Sequence, residues 1–343
     1  MLKVKLSKIE NVSKKILKKC GVPNNDAQII VDSILYAHSR GKGTHGITRL
    51  PIYERKIKNG SMNPNTDFNI VNDTPIVSVF DANYGFGQVA AAKGIEICIE
   101  KAKKYGLGIV GIRNSNNFGT AGYIAEKCTD QNMIGIILAN SGPAIAPSDG
   151  KKPIFGTNPI SIAFPKGDNQ FPIVLDMATS VISRGKIRLA AKNTEKIPFG
   201  WALDSDGNPT DNPIEAIKGS MIPIGGHKGY GLSLAVDILA GLLTGSAFGG
   251  EVKPLGCNDG YSRNGNMLIT INISFFMKMD EYAKNISTLY QNVKKSGDKK
   301  EIFLPGEKSY RNSQLNTETV ELNINQIDEI NCLAERLNLE CRL

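Results

Sequence analysis

Proton carriers with a working range near neutral pH are scarce in this chain. Of 343 residues only three are histidine, namely His38, His45 and His227, and histidine is the side chain whose ordinary titration falls near pH 7. His45 lies in RGKGTHGITRLPIYERK, residues 40–56, between a hydroxyl and a glycine, with Arg49 four residues on and Tyr53 four beyond that. On a helix this spacing sets the three roughly on one face. A base, a guanidinium fork and a phenol so arranged would wall a substrate that carries an acid group.

Other stretches hold chemistry more ambiguously. Asp176 interrupts the apolar run that opens VLDMATSVISRGK, residues 174–186. A carboxylate withdrawn from water needs a partner; His45, a bound ligand and a structural hydrogen bond are the alternatives. GGHKGYGL sets Lys228 among glycines at a helix start, which suits a phosphate or ribose hydroxyl, while His227 reads as a surface or packing residue. RNSNNFGTAG, residues 113–122, offers backbone N–H groups to an anion or makes a plain strand-to-helix turn. Thr157 and Asn158 in GTNPISIAFP shape a turn before a strand.

YGFGQVAAAKG imitates a dinucleotide fingerprint with Gly85, Gly87 and Ala90. The true fingerprint turn follows directly on its strand. Here DANY intervenes, and the next strand, LGIVGIRNS, ends without an acidic residue, so the segment reads as a structural turn. Three separated histidines give no metal-ligand spacing, and no G-x-S-x-G elbow presents a serine nucleophile.

These residues need elements to hold them. NNDAQIIVDSILYAHSR, residues 24–40, carries apolar residues at helical spacing and stops at Gly41 and Gly43. Thr44 can cap a following helix that ends at Gly60, with Pro51 kinking or restarting it. The first twenty-one residues read as an amphipathic helix, not a secretory signal. From about residue 74 the texture turns to short β-like runs alternating with helical segments such as 89–104 and 121–130. An apolar helix follows in GYGLSLAVDILAGLLTG, a strand in NMLITINISFF, and a helix at 325–338.

The length suggests two lobes, because single cores stop growing near roughly 250–300 residues. No apolar run approaches the roughly 18 residues of a membrane helix. The six cysteines form no C-x-x-C pair, which fits a reducing cytoplasm. The net charge of +8 would allow nucleic-acid binding, but the lysines are spread over solvated segments, and an anionic substrate explains the surplus equally well.

Taken together, RGKGTHGITRLPIY, NSNNFGTAGY, GTNPISIAFP, LDMATSVISRGK, PFGWALDSDGNPT, GGHKGYGL and LPGE resemble, in order and nearly end to end, the type-2 malate/L-lactate dehydrogenase family. That group also contains sulfolactate and ureidoglycolate dehydrogenases and cyclic-imine reductases. The resemblance implies an α/β protein of non-Rossmann type, with a mixed, largely antiparallel sheet and surrounding helices in an NAD(P)-binding domain over 74–259. A second domain would be built from both chain ends, 1–73 and 260–343. It implies a cytoplasmic homodimer using NAD or NADP, with no metal and neither nucleic acid nor membrane as partner. The implied reaction moves a hydride between nicotinamide and a small 2-hydroxy or 2-keto acid such as malate, lactate or sulfolactate. Reduction of a cyclic imine carboxylate and cofactor binding without turnover are the alternatives.

Carried over by position, the resemblance makes His45 the acid/base, with Thr44 in place of the usual serine beside it and Asp176 orienting it. Substrate contacts fall on Arg49, Tyr53, Asn117 and Thr157. Cofactor contacts fall on Gly119, Ala121, Ser141, Asp176, Met177, Ala178, Lys228, Gly306 and Glu307. Asn117 stands where the family usually has a histidine, and an asparagine cannot shuttle a proton. The proton work is thereby left to a His45 poised near neutral pH, its tautomer fixed by the neighbouring hydroxyl and carboxylate.

Overall fold

The computed structural model describes residues 1–168, 171–298 and 300–343. The chain opens with strand β1 (Leu2–Lys5) and helices α1 (Leu6–Lys19) and α2 (Asn24–Ser39), turns twice in 3-10 geometry at Gly43–His45 and Ile47–Arg49, and enters α3 (Leu50–Lys58). Helix α1 buries Ile9, Val12, Ile16 and Leu17 along one stripe, the spacing of an amphipathic helix. That stripe joins α2, α3 and the far end of the chain in a single core.

Next come β2 (Asn69–Asp73), β3 (Val77–Asp81), α4 (Gly87–Tyr105), β4 (Leu107–Ser115), α5 (Ala121–Thr129), β5 (Met133–Ala139), β6 (Ile160–Phe164) and β7 (Ile173–Met177). A smaller unit follows: α6 (Arg184–Lys192), β8 (Ala202–Leu203), β9 (Pro209–Thr210), α7 (Pro213–Lys218), β10 (Ser220–Met221) and α8 (His227–Val236), which runs on into a π-turn at Asp237–Leu242. The chain closes with β11 (Asn264–Asn272), α9 (Met279–Lys295), α10 (Glu307–Leu315), β12 (Thr319–Leu322) and α11 (Ile324–Arg336).

Seven strands form the main sheet in the order β2-β3-β4-β11-β5-β6-β7. Only β3 and β4 run parallel; the other pairs are antiparallel. A parallel pair needs a crossover, and α4 supplies it. Its Gly94 lets the helix lie close on the sheet, since a Cβ there would come 2.8 Å from Leu268 Cδ1. Helices α4 and α5 cover one face over Val110, Ile112, Ile137 and Leu268. Helix α8 and the π-turn cover Leu138 and Met267 on the other.

Two features depart from the sequence reading. Residues 264–272 fall on the terminal side of a boundary at 260, yet β11 lies in the middle of the sheet, pairing Leu268 with Val110 on one side and Ile137 on the other. The first residues are not wholly helical: β1 pairs antiparallel with β12, Leu2 opposite Leu322 and Val4 opposite Val320. No helix among the described residues is long and apolar enough to cross a membrane.

The glycines of YGFGQ pack protein against protein. A Cβ on Gly85 would come 2.7 Å from Thr66 Cα, and one on Gly87 would come 2.1 Å from the carbonyl of Asn116. The Phe86 amide at the start of α4 already donates to Thr66 Oγ1 at 2.9 Å. The segment is a turn, with no room there for a diphosphate.

Candidate active site

The turn that carries His45 is fixed by another histidine. Nε2 of buried His38 accepts the Ile47 amide at 2.9 Å, and a Cβ on Gly46 would lie 2.3 Å from that same nitrogen. The glycine after His45 is therefore required by the imidazole beneath it. An accepting Nε2 leaves the neutral ring's proton on Nδ1, and burial pushes His38 down to about 4. His38 is a structural acceptor.

Two 3-10 turns, in place of a continuous helix, change which side chains share a face. Pro51 falls in the first turn of α3, where a missing N–H costs nothing. Thr44 is exposed and caps no helix. Tyr53 is only 1% exposed. Its ring meets Phe86 edge-on, and its hydroxyl accepts from Gln88 Nε2 at 2.6 Å. The tyrosine thus belongs to the N-terminal core, near Arg49 but closed off from solvent, and presents no open wall.

His45 and Arg49 do come together, each with an unmet polar atom. His45 Nδ1 and Arg49 Nε are buried without a hydrogen-bond partner among the described residues. Burial is the largest influence on His45 and lowers it; Arg49 lowers it further, Asp176 raises it and Lys42 lowers it, leaving it at about 4. The imidazole is therefore neutral at pH 7, not poised near neutrality. Burial likewise depresses Arg49, with Tyr53 opposing and Arg188 adding to the effect.

Asp176 lies within electrostatic reach of His45, but its hydrogen bond goes elsewhere. Lys42 Nζ donates to Asp176 Oδ2. Neither the carboxylate nor the Thr44 hydroxyl fixes the tautomer of His45. Asp176 also crowds the first turn of α5, where a Cβ on Gly122 would come 2.9 Å from Oδ2. Lys42 and Asp176 line a cavity of about 300 Å³ with Tyr36, Arg40, Gly306 and Lys308.

Segments far apart in sequence make one wall beyond Asp176. Thr179 donates its amide to the carbonyl of Thr157 at 2.9 Å, and the Ile224 amide donates to Thr179 O at 2.9 Å. Ser141 is held from the same side, its amide donating to Asn158 Oδ1 at 3.1 Å. Met177, Ala178, Ser141 and Thr157 are half-buried along this wall. Gly226 caps α8 at φ 60°, with no atom within 4 Å of where a Cβ would lie. His227 and Lys228 are exposed beside it, and Lys228 has no carboxylate within ion-pair distance among the described residues. Bare backbone, an unpaired ammonium and a serine hydroxyl are a donor set that fits the diphosphate and ribose of a dinucleotide.

The remaining expected residues divide. The Gly119 amide donates to Asn117 Oδ1 at 3.1 Å, so Asn117 has its amide nitrogen left for a ligand. Ala121, in the first turn of α5, is buried. Gly306 lines the cavity at φ 84°, but Glu307 turns away from it. The Glu307 carboxylate accepts from Lys294 at 2.7 Å, Arg311 at 2.8 Å and the Leu304 amide at 3.0 Å. Burial opposes its charge, but these donors outweigh burial and hold it below the usual carboxylate range. Glu307 is a structural hub. No local pattern in sequence marks Lys42, because its partner Asp176 is 134 residues away; the role of His38 depends on the Ile47 amide nine residues on, which only the folded turn brings back to it.

The profile of a family described as malate/L-lactate dehydrogenase matches residues 4–331. The chain is similar to the L-sulfolactate dehydrogenase of Methanocaldococcus jannaschii, with 42% identity over 330 residues and 95% of each chain covered. It is also similar to the malate/(S)-sulfolactate dehydrogenase of Methanothermus fervidus, with 40% identity and again 95% of each covered. Among solved structures, the sulfolactate dehydrogenase from Methanocaldococcus jannaschii superposes with a TM-score of 0.92 at 40% identity, covering 98% of both chains.

Proposed function

The chain belongs to the malate/L-lactate dehydrogenase family, and on that premise we propose that it is a nicotinamide-dependent dehydrogenase of small 2-hydroxy acids, with His45 moving the proton and Arg49 holding the acid. The observation that carries the assignment is the pairing of two groups unsatisfied among the described residues, the neutral imidazole of His45 and the half-buried guanidinium of Arg49 with its unmet Nε. An anionic substrate satisfies the second while its hydroxyl reaches the first.

NAD or NADP, when bound, supplies the acceptor or donor of the hydride. Met177, Ala178, Ser141, Lys228 and the backbone at Gly306 would hold it. In the oxidation direction the neutral imidazole accepts the hydroxyl proton. The negative charge of Asp176 favours the imidazolium that results, and Lys42 tempers that effect. Arg49 grips the carboxylate with a two-pronged fork, which orients the reacting carbon.

Lactate as a substrate, a cytoplasmic setting and a homodimer complete the reading. Helix α8 and the π-turn expose Leu232, Ile238, Leu239, Leu242 and Leu243, with Phe248 beside them. An apolar stripe of this kind is a contact surface, and in this reading a second copy of the chain covers it. The test is NADH and NADPH oxidation across a panel of 2-keto acids and a cyclic imine carboxylate. Turnover of keto acids is expected. Turnover of the imine alone, or cofactor binding with no turnover, would replace this reading.

A further inference from the structure

Arg49, beside His45, shares its surroundings with further arginines, and among the described residues none of them meets a carboxylate. Arg184 and Arg188 stand one turn apart on α6 and so share a face. Arg188 lies within electrostatic reach of both Arg49 and Arg184. The first turn of α6 rests against the His45 turn, since a Cβ on Gly185 would lie 3.5 Å from Thr44 Cγ2.

Elsewhere in the chain, arginines are paired or solvated. Arg40, Arg113, Arg311 and Arg336 each meet a carboxylate, whereas Arg55, Arg263 and Arg342 are exposed. Arg49 and Arg184 are half-buried and Arg188 is exposed one turn further along α6, and none of the three has a carboxylate within 4.0 Å among the described residues. The half-buried charges of Arg49 and Arg184 oppose folding unless something negative joins them, and Arg188 adds a third positive charge at the solvent side. One carboxylate fills one fork; a 2-hydroxy acid with a single acid group leaves two forks empty.

We propose that Arg184 and Arg188 grip a second anionic group at the far end of the substrate, so that these two residues set a preference for dianionic over monoanionic 2-hydroxy and 2-keto acids. The assignment rests on the hydroxy-acid dehydrogenase reading. It adds that discrimination sits on α6, separate from the proton chemistry at His45. A carboxylate and a sulfonate present the same charge to a guanidinium fork and are equivalent for this grip.

The experiment compares kcat/KM for oxaloacetate and pyruvate in the full-length protein, its Arg184→Gln, Arg188→Gln and double variants, and Arg188→Lys. The expected result is a dianion-to-monoanion ratio that falls about 100-fold in the double variant, mainly through KM, with partial retention in Arg188→Lys. Equal losses on both acids, or an unchanged ratio, would overturn the proposal. A parallel thermal-shift series with succinate and propionate keeps it distinguishable from the dehydrogenase reading. If no variant and no parent reduces either acid, that reading fails. The arginine assignment then stands only if succinate raises Tm in the parent and not in the double variant, and falls if succinate acts on both alike.

Discussion

Lys42 donates to the Asp176 carboxylate, and the imidazole of His45, three residues along the chain, is left with an Nδ1 that has no hydrogen-bond partner among the described residues. The charge that favours an imidazolium is thus shared with an ammonium. Removing the ammonium should release it.

Lys42→Met is therefore expected to raise the pKa of His45, because Lys42 lowers it and Asp176, freed of its partner, raises it. The neutral imidazole is the form that accepts a proton, so the acid limb of kcat/KM for hydroxy-acid oxidation should move up by about one pH unit. A limb that stays in place would separate Lys42 from the proton chemistry.

His45→Ala should lower turnover by roughly 100- to 10,000-fold, the usual range for a lost acid/base, while fluorescence titration shows cofactor affinity nearly intact. Activity within a few-fold of the parent would remove His45 from the mechanism.

Arg49→Lys exchanges a two-pronged grip for a point charge. Its main effect should be a KM for the best keto acid raised by roughly tenfold or more, with kcat less affected. Steady-state kinetics that leave KM unchanged would place the carboxylate elsewhere.

Folding stability should fall on mild acidification. His38 and His45 are both held near 4 in the folded protein against an ordinary 6.5, so between those values the unfolded chain binds more protons. Stability is fully present above about pH 6.5 and is lost as pH falls toward 4, at about 1.4 kcal/mol per pH unit for each histidine. Urea midpoints measured from pH 7 to 4.5 check this. His45→Ala should halve the histidine part of the slope.

Much of this architecture is legible in sequence because its helices bury regular stripes, as α1 does with Ile9, Val12, Ile16 and Leu17. The failures have physical causes. Tyr53 is on the His45 face only if the helix is continuous; two 3-10 turns before Pro51 advance the chain at three residues per turn, and the phase is lost. The place of β11 depends on pairing with strands more than a hundred residues away, which no local period reports. At the site, His45, Arg49 and Asp176 are found together from spacing and resemblance. Lys42 is not, because its partner is 134 residues distant. The low pKa of His45 is hidden too, since it follows chiefly from burial.

The pairing of β1 with β12 bears on how the molecule is made. The core that supports the His45 turn joins Ile9 and Ile47 to Val320, Ile330 and Leu333. A ribosome releases the first of these long before the last. During synthesis α1 and α2 can pack on each other early, but the Ile47–Arg49 turn and α3 must wait for the final helix to cover them. A chain stopped short of residue 319 should therefore keep the sheet's strands but offer protease-sensitive sites at 1–5, which lose their partner strand, and at 45–58, which lose the cover of the final helix, a pattern limited proteolysis can read. Catalytic competence in this design arrives last, with the closing of the chain's two ends.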